Sequence, residues 1–143
     1  MTKKEPLSEV AILCVDDEYV VLASLKEQLK RAFGNKYLYE VAESAYEAWE
    51  IIEELQEDAI NIVMIVSDWL MPGTKGDEFL IQVHKRFPNI VTVLLTGQAD
   101  QQAIEKAQEK ANLYRCLQKP WAEDELIDTI EAGLNINNHS LEK

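Results

Sequence analysis

The sequence is short of positive charge, of cysteine and of long hydrophobic runs, and each shortage excludes something. Fourteen Lys and Arg stand against 26 Asp and Glu in 143 residues, a net charge of -12. Phosphate backbones attract basic faces, so no direct nucleic-acid partner is expected. The two cysteines, Cys14 and Cys116, both lie in apolar runs. They read as small buried thiols rather than as a disulfide framework or a metal site. No apolar run approaches the ~20 residues that span a bilayer. The start, MTKKEPLSEV, lacks the hydrophobic core of a signal peptide. No membrane is expected, and the protein reads as cytoplasmic. No Pro/Gly/Ser-rich linker interrupts the chain, whose length suits one domain.

What is present is a repeated alternation. Val10 to Val15 and Ile62 to Val66 are continuous apolar runs without period-2 alternation, as expected of parallel strands buried on both faces. Tyr37 to Ala42, Ile90 to Leu95 and Leu113 to Leu117 read as three further strands. Between them the period becomes helical. Tyr19 to Phe33 carries Leu22, Leu25, Leu29 and Phe33 on one face, and Gly34-Asn35 closes it. Ser44 is placed to cap a helix to about Glu57 that buries Ala45, Ala48, Trp49, Ile52 and Leu55. Asp77 to Phe87 is a third helix, stopped by Pro88, and Asp100 to Lys110 a fourth. The fourth is weakly amphipathic, with Ala103, Ile104 and Ala107 as its apolar anchors. Glu123 to about Asn137 is the last. Five β-α units predict an α/β fold, a (βα)5 doubly wound parallel five-stranded sheet with right-handed crossovers. Residues 1–8 read as a disordered lead-in, 9–137 as the domain and 138–143 as a tail that could begin a linker helix.

In such sheets, chemistry gathers at the carboxyl ends of the strands. Asp16 and Asp17 follow the first strand, Asp68 the third, Thr96 the fourth and Lys119 the fifth. Three close carboxylates raise one another's pKa values unless a cation lies among them. Without thiolate or imidazole the set disfavours zinc, and its oxygens suit Mg2+. Carboxylate, Mg2+, ammonium and hydroxyl together suit phosphoryl transfer, with Asp68 as nucleophile.

Four motifs then carry a resemblance. LCVDDE, SDWLMPGTKG, LLTG and QKPW, in this order and spacing within residues 9–135, resemble the receiver (CheY-like) domain of two-component response regulators. The resemblance implies a flavodoxin-like sheet of strand order 2-1-3-4-5. It implies that Asp68 accepts a phosphoryl group from a sensor histidine kinase or phosphotransfer protein. Asp17 would bind Mg2+ directly and Asp16 through water, with Asp68 and the backbone carbonyl of Leu70 as further ligands. Thr96 and Lys119 would contact the phosphoryl oxygens, and the Lys119-Pro120 bond would be cis. The Trp69 backbone N–H is expected to face the phosphoryl group. Phosphorylation would switch the face made by the fourth helix, fifth strand and last helix, through which family members commonly form homodimers. An output partner or attached effector domain would read that face; whether the chain is stand-alone or the front of a longer one stays open.

Receivers usually carry Tyr or Phe three residues before the motif lysine, and here that position is Cys116. Tyr114, two residues earlier, is expected on the same strand face. Leu70 and Gln98 occupy the two positions that tune phosphate lifetime in the family, and an apolar Leu70 cannot orient water, so self-dephosphorylation is expected to be slow. Two alternatives remain: a Mg2+-dependent phosphohydrolase of the haloacid dehalogenase class, and a docking receiver that is never phosphorylated. The first would carry an acid where Leu70 stands.

Overall fold

The computed structural model describes residues 9–97 and 101–142, with side chains to residue 136. The lead-in at 1–8, Asp100 and Gln98 lie outside the described residues. The elements are β1 (Val10–Val15), α1 (Tyr19–Phe33), a 3-10 turn (Gly34–Lys36), β2 (Leu38–Ala42), α2 (Ala45–Glu57), β3 (Asn61–Asp68), α3 (Gly76–Arg86), β4 (Val91–Thr96), α4 (Gln101–Lys110), β5 (Arg115–Gln118) and α5 (Glu123–Glu142). All strand pairs are parallel and the sheet order is β2-β1-β3-β4-β5. This is the flavodoxin-like order that places β3 between β1 and β4.

The strands without alternation are the ones buried on both faces. From Ala11 to Val15 and from Ile62 to Asp68 every residue is buried. Alternate residues feed two cores. Ala11, Leu13, Val15 and Ile65 pack with Ile52, Phe79 and Leu80 of α2 and α3 on one face. Ile12, Cys14, Met64 and Val66 pack with Leu22, Leu25 and Leu29 of α1 and Leu126 and Ile130 of α5 on the other. Each fully buried leucine on α1 contributes about 1.5–3 kcal/mol by leaving water.

The helix ends follow local chemistry. Ser44 Oγ accepts the Glu47 N–H at 3.0 Å while Glu47 Oε1 accepts the Glu43 N–H at 2.7 Å, which satisfies two otherwise orphaned donors. Gly34 ends α1 at φ 63°, a conformation that suits a residue without Cβ. Trp49 is half-buried, not core: its ring sits edge-on to Phe79 with the Arg86 guanidinium over it. The helix begun at Glu123 runs on to Glu142, beyond the expected Asn137.

The largest departure is at β5, which starts two residues later than Leu113. Ala111 and Leu113 both donate their N–H to the Ala107 carbonyl, at 2.8 and 3.2 Å, with Asn112 between them at φ 52°. This turn closes α4 and consumes Leu113, an apolar residue that is buried without being in a strand. Cys14 is fully buried and its thiol is pushed up to about 12, by burial first and by Asp16 second. Cys116 is only half-buried, because β5 is an edge strand.

Candidate functional site

The backbone ladder extends one residue past three strands and fixes the rim. The N–H groups of Asp16, Trp69 and Lys119 donate to the carbonyls of Ala42, Leu95 and Thr96, at 3.1, 2.9 and 2.9 Å. The side chains at the strand ends therefore converge. Lys119 Nζ lies 2.8 Å from Asp16 Oδ2 and 3.0 Å from Asp68 Oδ1. Carboxylate oxygens of Asp16, Asp17 and Asp68 all lie within 4.8 Å of one another. Asp16 and Asp68 are buried and Asp17 is exposed. The second Asp16 oxygen accepts the Glu18 N–H at 2.9 Å and holds the turn into α1. Asp17, Asp68, Leu70, Thr96 and Lys119 line one open cleft of about 420 Å3.

Burial pushes the Asp68 carboxyl above its ordinary value; the hydrogen bond from Lys119 pulls it down, and the neighbouring Asp16 charge pushes it further up. For Lys119, burial works to lower the pKa, but the hydrogen bonds to Asp16 and Asp68 outweigh it and hold the ammonium form. Within this cluster three carboxylates face one ammonium, a surplus of two negative charges. Thr96 Oγ1 is buried and has no hydrogen-bond partner among the described residues. A buried hydroxyl without a partner costs free energy; Thr92 on the same strand shares this state, but Thr96 alone of the two lines the cleft. An all-oxygen donor set with two surplus charges fits a hard divalent cation.

The family model for the response regulator receiver domain matches residues 12–131. The chain belongs to this family. Among relatives of the receiver, the hydrogenase transcriptional regulatory protein HoxA of Cupriavidus necator is 31% identical over 126 residues, 88% of this chain and 24% of that protein. The chain thus spans about a quarter of the length of the curated relatives it matches. The CheY-like receiver domain protein of Methanospirillum hungatei is 25% identical, with 94% of this chain and 99% of that one covered at a TM-score of 0.81. The solution structure of the beryllofluoride-activated NtrC4 receiver domain dimer is 26% identical, covering 90% of this chain and 98% of that one at a TM-score of 0.76.

The receiver rim gathers Asp16, Asp17, Asp68, Thr96 and Lys119 as expected from their strand ends, and the Lys119-Pro120 bond is cis. Leu70, at the position where a phosphohydrolase of the haloacid dehalogenase class would carry an acid, is 54% exposed at the cleft. Two expectations are corrected. The Trp69 N–H does not face the cleft, because it is committed to the Leu95 carbonyl. Tyr114 does not share a face with Cys116: it packs with the α1/α5 core, its ring against Gly133, while Cys116 packs with the opposite core. Strand alternation fails there because Tyr114 precedes β5.

Three residues at the site have a role that no motif states, although Gly76 closes SDWLMPGTKG. A Cβ on Gly76 would lie 1.9 Å from the Asp68 carbonyl oxygen, so only glycine lets α3 start this close to the end of β3. Asp77 is a buried carboxylate that accepts a hydrogen bond from Trp69 Nε1 at 3.1 Å. Lys106 reaches from α4 to Asp77 Oδ2 at 3.6 Å and to Glu78. Gly76 could have been suspected from its place after a Pro-Gly loop, whereas the partners of Asp77 lie 8 and 29 residues away in either direction.

Proposed function

We propose that the receiver is a phosphorylation-driven switch in which Asp68 accepts a phosphoryl group from a phosphohistidine on a sensor histidine kinase or phosphotransfer protein. The observation that carries this reading is the contact of Lys119 with both Asp68 and Asp16 beside the partnerless Thr96 hydroxyl. An Asp68 carboxylate oxygen attacks phosphorus, the P–N bond breaks, and the departing imidazole nitrogen keeps the electron pair and picks up a proton from solvent. Lys119 stabilises charge on the equatorial oxygens. Thr96 Oγ1 donates to a phosphoryl oxygen and gains the partner it lacks.

Asp16, Asp17, Asp68 and the Leu70 carbonyl would hold Mg2+, Asp16 through water. When bound, the ion supplies Lewis-acid neutralisation of the phosphoryl oxygens. The chain's own chemistry then ends with self-phosphorylation from small phosphodonors and slow autodephosphorylation, since the apolar Leu70 offers nothing to orient water. The movement of Thr96 biases the α4-β5-α5 face toward its active arrangement. That face would engage an output partner, an attached effector domain or a second copy of the chain; the NtrC4 receiver domain is itself a dimer. In this reading the receiver works in the cytoplasm among its phosphodonors; among the described residues no helix is long and apolar enough to cross a membrane.

The test is intact-mass spectrometry after incubation with acetyl phosphate and Mg2+. Wild type should gain one phosphate that persists for minutes or longer, and Asp68→Asn should gain none. An adduct retained in the variant would refute the assignment, and one lost within seconds would refute slow release.

A further inference from the structure

The acceptor loop is tied to α4 by a route that does not pass through Thr96. Trp69, next to Asp68, is pinned three ways. Its N–H donates to Leu95, its carbonyl accepts the Gly76 N–H at 2.7 Å, and its indole donates to Asp77 at 3.1 Å. The Lys75 ammonium lies 5.6 Å from the centre of its ring. Asp77, in the first turn of α3, is buried and spans two elements: one oxygen takes the indole proton and the other faces Lys106 of α4 at 3.6 Å. Lys106 also pairs with Glu78.

On the other side of this tie, α4 is weakly held by apolar contact. Ala103 and Ala107 are its buried residues and Ile104 packs only partly. Two alanines and part of an isoleucine bury far less area than the three leucines of α1. A charge pair with one buried partner therefore adds to what fixes the position of α4 against α3.

We propose that Lys106, acting through Asp77 and Trp69, is a positioning residue that couples the loop after Asp68 to α4 and favours the unphosphorylated arrangement. The inference rests on the acceptor reading of Asp68. Leu70, whose carbonyl is assigned to the ion, directly follows Trp69, so a pull on that carbonyl is felt at the indole and at Asp77. The latch exists while Lys119 is held by both Asp16 and unmodified Asp68. The tie is thus seen with the acceptor unmodified, the state that activation leaves. Coupling is reciprocal: a side chain that stabilises the resting arrangement of α4 must weaken binding at the acceptor cleft by the same factor.

The experiment titrates beryllofluoride, a phosphoryl mimic, into the Mg2+-loaded receiver. Trp69 fluorescence is followed in a Trp49→Phe, Trp121→Phe background, with calorimetry as a second readout. Lys106→Gln should bind roughly threefold to tenfold more tightly than Lys106. Lys106→Arg, which keeps the charge, should stay near wild type. Asp77→Asn, which keeps an acceptor for the indole but drops the charge facing Lys106, should tighten binding in the same direction. In the metal-free protein, amide exchange in α4 should quicken in Lys106→Gln. A merely structural salt bridge would alter that exchange and leave the affinity untouched, so equal or weaker binding by Lys106→Gln overturns the proposal. Failure of wild type to bind beryllofluoride at all would instead overturn the acceptor reading, and this inference with it.

Discussion

The two sides of the sheet are built to different standards. On the β1/β3 side, strands are buried on both faces and α1 contributes three fully buried leucines. On the β4/β5 side, β5 is a four-residue edge strand with one buried residue, and α4 rests on two alanines. The firm side holds Asp16 and Asp68, and the lighter side holds the helix that would respond. A group that must meet phosphorus in line needs a fixed position. An element that must shift for a modest input has to be held by little. The rim joins the two, since Lys119 comes from the lighter side and bonds to both aspartates.

The sharpest way to break this comparison is to remove one anchor from each side. Phe79 is fully buried where α3 meets the sheet, and Phe79→Ala should cost about 3–5 kcal/mol in chemical denaturation. Ile104→Ala on α4 should cost roughly 1 kcal/mol, since that side chain is only partly buried. Equal losses would mean the two sides are equally firm.

Next comes Gly76→Ala. At an open helix position the change would stabilise by roughly 1 kcal/mol. Here the new methyl meets the Asp68 carbonyl, so a loss of roughly 1–3 kcal/mol is expected, together with impaired phosphate uptake from acetyl phosphate. A variant as stable and as reactive as wild type would show that the acceptor strand yields after all.

The smallest effect is electrostatic. The folded state holds the Asp68 proton more tightly than the unfolded chain does, chiefly through burial. Stability attached to this group is present when it is protonated and is lost as pH rises from the ordinary carboxylate range through its folded value. In metal-free buffer Asp68→Asn should therefore melt above wild type at pH 7, and the gap should shrink toward pH 4. A gap that widens on acidification would reverse the sign.

Much of this was readable from the chain. The runs at Val10 and Ile62 identified the central strands because a strand covered on both faces has no reason to alternate. The rim residues followed, since parallel strands present their ends together. The start of β5 is not legible in the chain, because Leu113 is apolar for the sake of the turn that ends α4. Tyr114 lies on the other face for the same reason, and Trp49 lies shallower than its helical position suggests, because helical period gives direction but not depth.

By itself the sequence determined the β-α rhythm, the two-faced burial of the central strands and the identity of the groups at their ends. All of these depend on local periodicity and on residue type. Tertiary structure alone decided that Lys119 bridges Asp16 and Asp68, that Gly76 must lack a side chain, and that Lys106 meets Asp77. Contacts between elements depend on how strands stagger and helices tilt, and no periodicity within one segment encodes that.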